Sequence, residues 1–203
     1  MTTLIFDESK FETGTASQSD LSPYITLVAK VEGADEYVDD HLYPLDASIE
    51  GKTDFLEQAK ELIGASKTDS IVFKVAENEL SEVLSNLFFD ENGQPNESLF
   101  QFGELPPHIQ DVVMAYTQTN AFQADSEMTL QDILTEASDA YLGKYDSACE
   151  YARYQYDEKI FGSDLDTDYD FDVLANFVNF DRLGEHLITT VQDIEVVNNH
   201  YFK

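Results

Sequence analysis

Five aspartates alternate along FGSDLDTDYDFDVL, residues 161–174: Asp164, Asp166, Asp168, Asp170 and Asp172. Carboxylates at such spacing have two chemical uses. They can ligate a hard cation, or they can present regularly spaced negative charge to a basic partner. A calcium loop of the EF-hand type needs oxygen ligands at positions 1, 3 and 5, glycine at 6 and a bidentate Glu at 12. Counted from Asp164, position 6 is Tyr169 and position 12 is Ala175. Counted from Asp166, those places fall on Phe171 and Phe177. The sharp turn and the closing ligand are both absent, so no metal is expected at the ladder.

The second use needs spacing. Alternate residues of an extended strand lie about 6.6 Å apart on one side, and i, i+4 neighbours of a helix lie about 6 Å apart. Two steps along one strand of B-DNA advance about 6.8 Å. Carboxylates set out by secondary structure can therefore approximate a row of phosphates. The ladder is one candidate segment of such an array. Asp139, Asp146, Glu150, Asp157 and Glu158, on the helices predicted just before it, are another. The bland alternative is a solvated acidic surface.

Other chemistry is not nominated. His41, His108, His186 and His200 are far apart, and GEHLI at 184–188 lacks the second His of a zinc-protease helix. The nine glycines form no phosphate-binding loop and no GxSxG elbow. Cys149 has Glu150 beside it and no adjacent base to stabilise a thiolate. Acid pairs are so frequent that their spacing does not diagnose glycosidase chemistry. No catalytic residue, cofactor or metal is expected.

Charge dominates the composition. The 203 residues include 41 acids and 11 bases, a formal net charge of −30. Both halves of the chain share it, so it is not a tail. A 42% hydrophobic and 12% aromatic content supplies a core and argues against disorder. Direct binding to nucleic acid or to an anionic membrane is disfavoured by repulsion. A basic protein partner or a high-salt habitat is implied. One cysteine permits no internal disulfide, in keeping with a reducing cytoplasm. The start MTTLIFDESKFETG does not resemble a signal peptide, and no apolar run is long enough to span a membrane.

The elements that must position these groups read as α+β. Residues 1–22 are a polar, flexible lead-in. YITLVAKV (24–31) and SIVFKV (70–75) are predicted strands. Between them KTDFLEQAKELIG (52–64) is a predicted helix, capped by Thr53 or Asp54 and ended by Gly64. Its apolar face is Phe55, Leu56, Ala59, Leu62 and Ile63. ELSEVLSNLFF (79–89) is a further helix, and DENGQPNES (90–98) is a turn-rich break. Pro106 and Pro107 open a helix carrying Ile109, Val112, Val113 and Tyr116. Thr129 caps another, with Leu130, Ile133, Leu134 and Ala137 on one face, running on until Gly143 breaks it. Asp146 or Ser147 starts the next. LANFVNFDRLGEHLI is a loop and short helix, and IEVVNNHYFK is a closing strand. Units near 23–77 (small α+β), 78–137 (mainly helical) and 138–203 (α+β) follow.

The C-terminal third also resembles a family. SDAYLGKYDSACEYARYQ (138–155) is similar to a segment of ArdA-type antirestriction proteins: an acidic residue and Tyr, then Gly, an aromatic, Asp-Ser and an acidic helix. Here those positions are Asp139, Tyr141, Gly143, Tyr145, Asp146, Ser147 and Glu150. NFVNFDRLGEHLI and NNHYFK resemble the blocks that follow. Toward the N-terminus, 24–47 is similar in layout, with Tyr43 where the family often has Trp, and residues 1–22 look additional. MTLQDILTEASD (128–139) sits near the place of the family's Leu-Glu-rich motif with fewer acids. The resemblance implies an elongated, three-part α/β protein, often a homodimer, that mimics bent DNA. Such proteins come from phages and mobile elements, evade host defence, and occupy the DNA-binding channel of Type I restriction–modification enzymes in the bacterial cytoplasm. Three alternatives stay open: another basic DNA-binding partner such as a nucleoid protein or a different defence nuclease, a halophilic protein, and an enzyme whose site leaves no motif.

Overall fold

The β-branched run ITLVAKV forms β1 (Ile25–Val31), which pairs antiparallel with β2 (Ile71–Asn78). The computed structural model that places them describes residues 4–11, 25–46, 48–123, 125, 128–156, 178–191 and 193–203. Ile25, Leu27 and Ala29 point to one face and are buried there, as a period of two requires. Along the outer edge of β1, Leu27 and Leu42 exchange backbone hydrogen bonds of 2.9 and 2.8 Å. Helix α1 (Lys52–Leu62) joins the two strands and packs the Phe55 ring 5.4 Å from both Phe73 and Phe100.

Two expectations for α1 are corrected. Neither Thr53 nor Asp54 caps it. The N-cap is Gly51 at φ 92, and Asp54 Oδ2 instead accepts from the Glu50 N–H and the Gln58 amide. The buried residues of α1 are Phe55 and Ala59, while Leu62 stays 43% exposed. The predicted stop holds: Gly64, at φ 68, lets the Ala65 N–H reach back to the Lys60 carbonyl.

The middle of the chain is helical. Ser81 caps α2 (Glu82–Phe88), and Pro107 opens α4 (Pro107–Tyr116), whose Ile109, Val112, Val113 and Tyr116 are all buried. Thr129 and Asp132 form a reciprocal capping box on α5 (Leu130–Ala140), which buries Leu130, Ile133, Leu134 and Ala137. Between α2 and α4 lies α3 (Glu97–Gly103), which the sequence reading does not contain. Its seven residues are too few for a periodic signal, yet they bury Leu99, Phe100 and Phe102. A single cluster of buried apolar side chains runs from Phe11 to Phe202 and draws on all three expected units.

Residues 4–11 correct the expectation of a loose lead-in. Ile5 and the Gln131 side-chain amide exchange two 2.7 Å hydrogen bonds. Glu8–Phe11 forms a 3-10 turn, and Phe11 enters the core against Tyr141. Leu4 and Phe6 pack against the same core, Phe6 edge-on to Phe11 at 6.3 Å, so the segment is held by its apolar side chains.

The C-terminal region differs from its prediction at two places. Helix α5 ends at Ala140 rather than continuing to Gly143. Tyr141–Lys144 is a strand, β3, with a bulge between Tyr141 and Gly143 that needs Gly143 at φ 126. The closing strand is a hairpin: Asn198 and Asn199, at φ 49 and 66, turn β4 (Glu195–Val197) into β5 (His200–Phe202). Two left-handed residues at a two-residue turn suit the twist of the flanking strands. The sheet order is β3-β5-β4, both pairings antiparallel. Helices α6 (Ala148–Tyr156) and α7 (Phe180–His186) pack together, and the chain then makes a π-helical turn, Leu187–Val191. The fold is α+β, with helices and, among the described residues, two small antiparallel sheets.

Candidate acidic interface

Helix α5 carries its carboxylates opposite its core face. Asp132, Glu136 and Asp139, at i, i+4 and i+7, are exposed while Ile133, Leu134 and Ala137 are buried. Each has a local contact. The Thr129 hydroxyl and backbone N–H donate to Asp132 and lower its pKa below the usual carboxylate range. Tyr116 donates its hydroxyl to Glu136 at 3.3 Å, and burial with the Glu136 charge pushes that phenol up to about 12. Asp139, predicted as part of the array, is 69% exposed and meets Lys10 Nζ at 3.0 Å. Sequence reasoning missed Lys10, because the contact spans 129 residues and nothing local announces it.

Asp146 and Glu150 stand at the other end of β3. Asp146 is exposed, and its N–H donates to Glu150 Oε2 at 3.1 Å. Ser147 Oγ accepts from the Glu150 N–H, so Ser147 is the cap of α6. Glu150 is half-buried. The structure thus brings Asp146 and Glu150 together. It sets Asp139 apart from them by a four-residue strand of about 13 Å. Asp157, Glu158 and the ladder Asp164, Asp166, Asp168, Asp170 and Asp172 lie outside the described residues.

The motif residues between these acids are structural. Gly143 supplies the bulge, Tyr141 and Tyr145 are buried, and Ser147 is the cap. The Tyr145 hydroxyl donates to the Leu142 carbonyl at 3.1 Å, and desolvation raises its pKa. Tyr141 OH lies 3.3 Å from His200 Nδ1. Burial, with Lys144 nearby, pushes the His200 imidazole down to about 4, so it is neutral at pH 7. Lys144 in turn approaches Asp111 of α4 at 3.9 Å, with both side chains largely covered.

Across the described residues no Asp or Glu is buried, and most are exposed. Several of the few bases serve backbone and rings. Lys30 donates to the Ala34 carbonyl and sits over Tyr37, Lys60 donates to the Lys67 carbonyl, and Arg153 lies over Phe180. Among the described residues no three His, Cys, Asp or Glu converge as a metal-ligand group. No described helix is long and apolar enough to cross a membrane.

Comparison of this chain with protein-family models, with curated proteins and with solved structures gives no match.

Proposed function

We propose that this protein is a DNA mimic that inhibits a Type I restriction–modification enzyme by occupying its DNA-binding groove. The carrying observation is a net charge of −30 on a folded chain with no buried carboxylate among the described residues. The carboxylates of the described residues therefore face outward on helices, strands and turns that fix their position. A basic groove that releases counterions on binding DNA would release them on binding this surface. The resemblance of 138–155 to antirestriction proteins supports a restriction enzyme as the target. No residue acts catalytically in this reading, and no cofactor enters it.

The test is competition. A purified Type I enzyme is titrated with the protein while its binding to labelled duplex DNA is followed. Inhibition should be competitive with DNA and should weaken steeply between about 0.1 M and several tenths molar salt, as phosphate-like contacts do. Changing Asp139, Asp146 and Glu150 to amides should weaken inhibition in a graded way and flatten the salt slope. Inhibition independent of DNA concentration, or abolished by one amide in a folded protein, overturns the proposal.

A further inference from the structure

Between the loop after β1 and helix α1 lies a surface groove of about 230 Å³. Its lining includes His41, Tyr43, Asp46, Ile49, Phe55 and Leu62. Phe55 is 1% exposed and belongs to the core, so the floor is apolar. Tyr43 and Leu62, at 45% and 43%, are two of four large apolar side chains that stand exposed among the described residues; the others are Ile5 and Val196. The charge of the protein explains neither. A phosphate array has no use for an apolar cleft.

The groove is built rather than incidental. Its loop is fixed to β1 by the paired Leu27–Leu42 hydrogen bonds. Consecutive turns close through Asp46 N–H to the Tyr43 carbonyl and Ile49 N–H to the Asp46 carbonyl. Leu45 packs against Gly103 at the end of α3, leaving the loop little room to shift. A preformed cleft loses little ordering entropy when it is filled. Its volume is below the usual range for a small-molecule site, and suits one or two side chains.

The rim is anionic. Asp46 lines the groove, and hydrogen bonds from Ser48 keep its pKa low. Asp39, Asp40 and Glu50 are exposed in the same loop. Among the described residues no Lys or Arg lines the groove, and Lys60 of α1 is engaged with the Lys67 carbonyl.

We propose that this groove is a docking site for a basic peptide segment of a partner protein, one that presents an apolar side chain flanked by Lys or Arg. The apolar anchor fills the cleft between Tyr43 and Leu62, and the flanking cations meet Asp46 and the acids of the rim. A second copy of this chain does not suit the site, since it brings the same excess of negative charge. The site goes beyond DNA mimicry. It would let an acidic protein prefer one basic partner over others by shape.

The probe is a fluorescent ten-residue peptide with one leucine between two pairs of lysines, compared with the same peptide carrying serine for leucine. Anisotropy is measured at about 0.3 M salt, where long-range attraction is screened. The wild-type protein should prefer the leucine peptide about tenfold. Leu62→Asn and Tyr43→Asn should each reduce that preference to about twofold without changing affinity for the serine peptide. Val196→Asn should leave it intact. Equal binding of the two peptides by wild type, or a preference that survives both groove substitutions, overturns the proposal. Neither result bears on inhibition of a restriction enzyme, and failure of that inhibition leaves the peptide preference standing.

Discussion

Phe55, Phe88, Phe100 and Phe102 fill the larger buried cluster, whereas Tyr145, Tyr151 and Tyr201 fill the smaller one with Ile194. Tyr116 and Tyr141 also belong to the larger cluster, among Phe, Leu, Val and Ile side chains, so the clusters differ in how large a share of their rings carries a hydroxyl. A phenyl ring can be enclosed on every side, as Phe88 is at 0% exposure, 5.1 Å from Phe102. A phenol needs a partner or a route to water for its oxygen. The tyrosines of the smaller cluster pack ring against ring, with Tyr145 and Tyr151 at 0% and 1% exposure. Tyr145 stands edge-on to Tyr151 and to Tyr201 at 5.2 Å, Tyr151 stacks on Tyr201 at 4.9 Å, and Tyr145 reaches the Leu142 carbonyl. Desolvation raises the pKa of all three phenols, that of Tyr151 to about 12.

Strand β5 divides the two clusters. Tyr201 faces the tyrosines, while Phe202 belongs to the larger cluster and His200 lies against Tyr141. A central strand covered on both faces couples the two cores, so they are expected to unfold together. Phe88→Ala tests this most severely. It should cost about 3–5 kcal/mol in urea denaturation. The tyrosine signal in near-ultraviolet circular dichroism should be lost in the same transition as the helical signal. Two separate transitions would break the coupling.

His200 gives the next largest effect, and its sign is fixed by burial. The unfolded chain takes up a proton near pH 6.5, but the folded imidazole does so only near 4. The stabilisation is present above about 6.5 and is lost as pH falls through about 4, at most roughly 3 kcal/mol. Measured against His200→Asn, wild type should lose that stability over this window. Parallel pH profiles for the two proteins would mean that the histidine is not held neutral.

Gly184→Ala acts on the tyrosine side alone. A Cβ there would run into the Ala148 carbonyl, where α7 crosses α6 at closest approach. We expect a loss of about 1–3 kcal/mol, with altered tyrosine circular dichroism because α6 carries Tyr151. An unchanged melting curve would show that the two helices separate at little cost. The smallest effect belongs to Tyr145→Phe, which removes one buried hydrogen bond and should cost about 1 kcal/mol at pH 7. Stabilisation instead would show that the hydroxyl is a burden and that the two clusters obey one rule.

Local signals were legible in the sequence. The apolar periods of α4 and α5, the Thr129 cap, Pro107 at a helix start and Gly64 at a helix end each depend on residues within one or two turns. The net charge needed no structure at all. Tertiary structure alone decided what depends on distant partners. Gly143 reads as a helix stop until β5 pairs beside it and makes it a bulge. Asn198-Asn199 carries a turn signal, but its three-residue strands are too short to display alternation. Phe11 and Lys10 sit in a polar stretch and gain meaning only where α5 and β3 receive them. Leu62 shares the apolar face of α1 yet stays outside the core, because a helical period specifies a direction around the axis and not how far the neighbouring core extends. The acidic character of the surface is thus a property of composition. Which carboxylates stand together, and beside what cleft, is set by contacts between residues far apart in the chain.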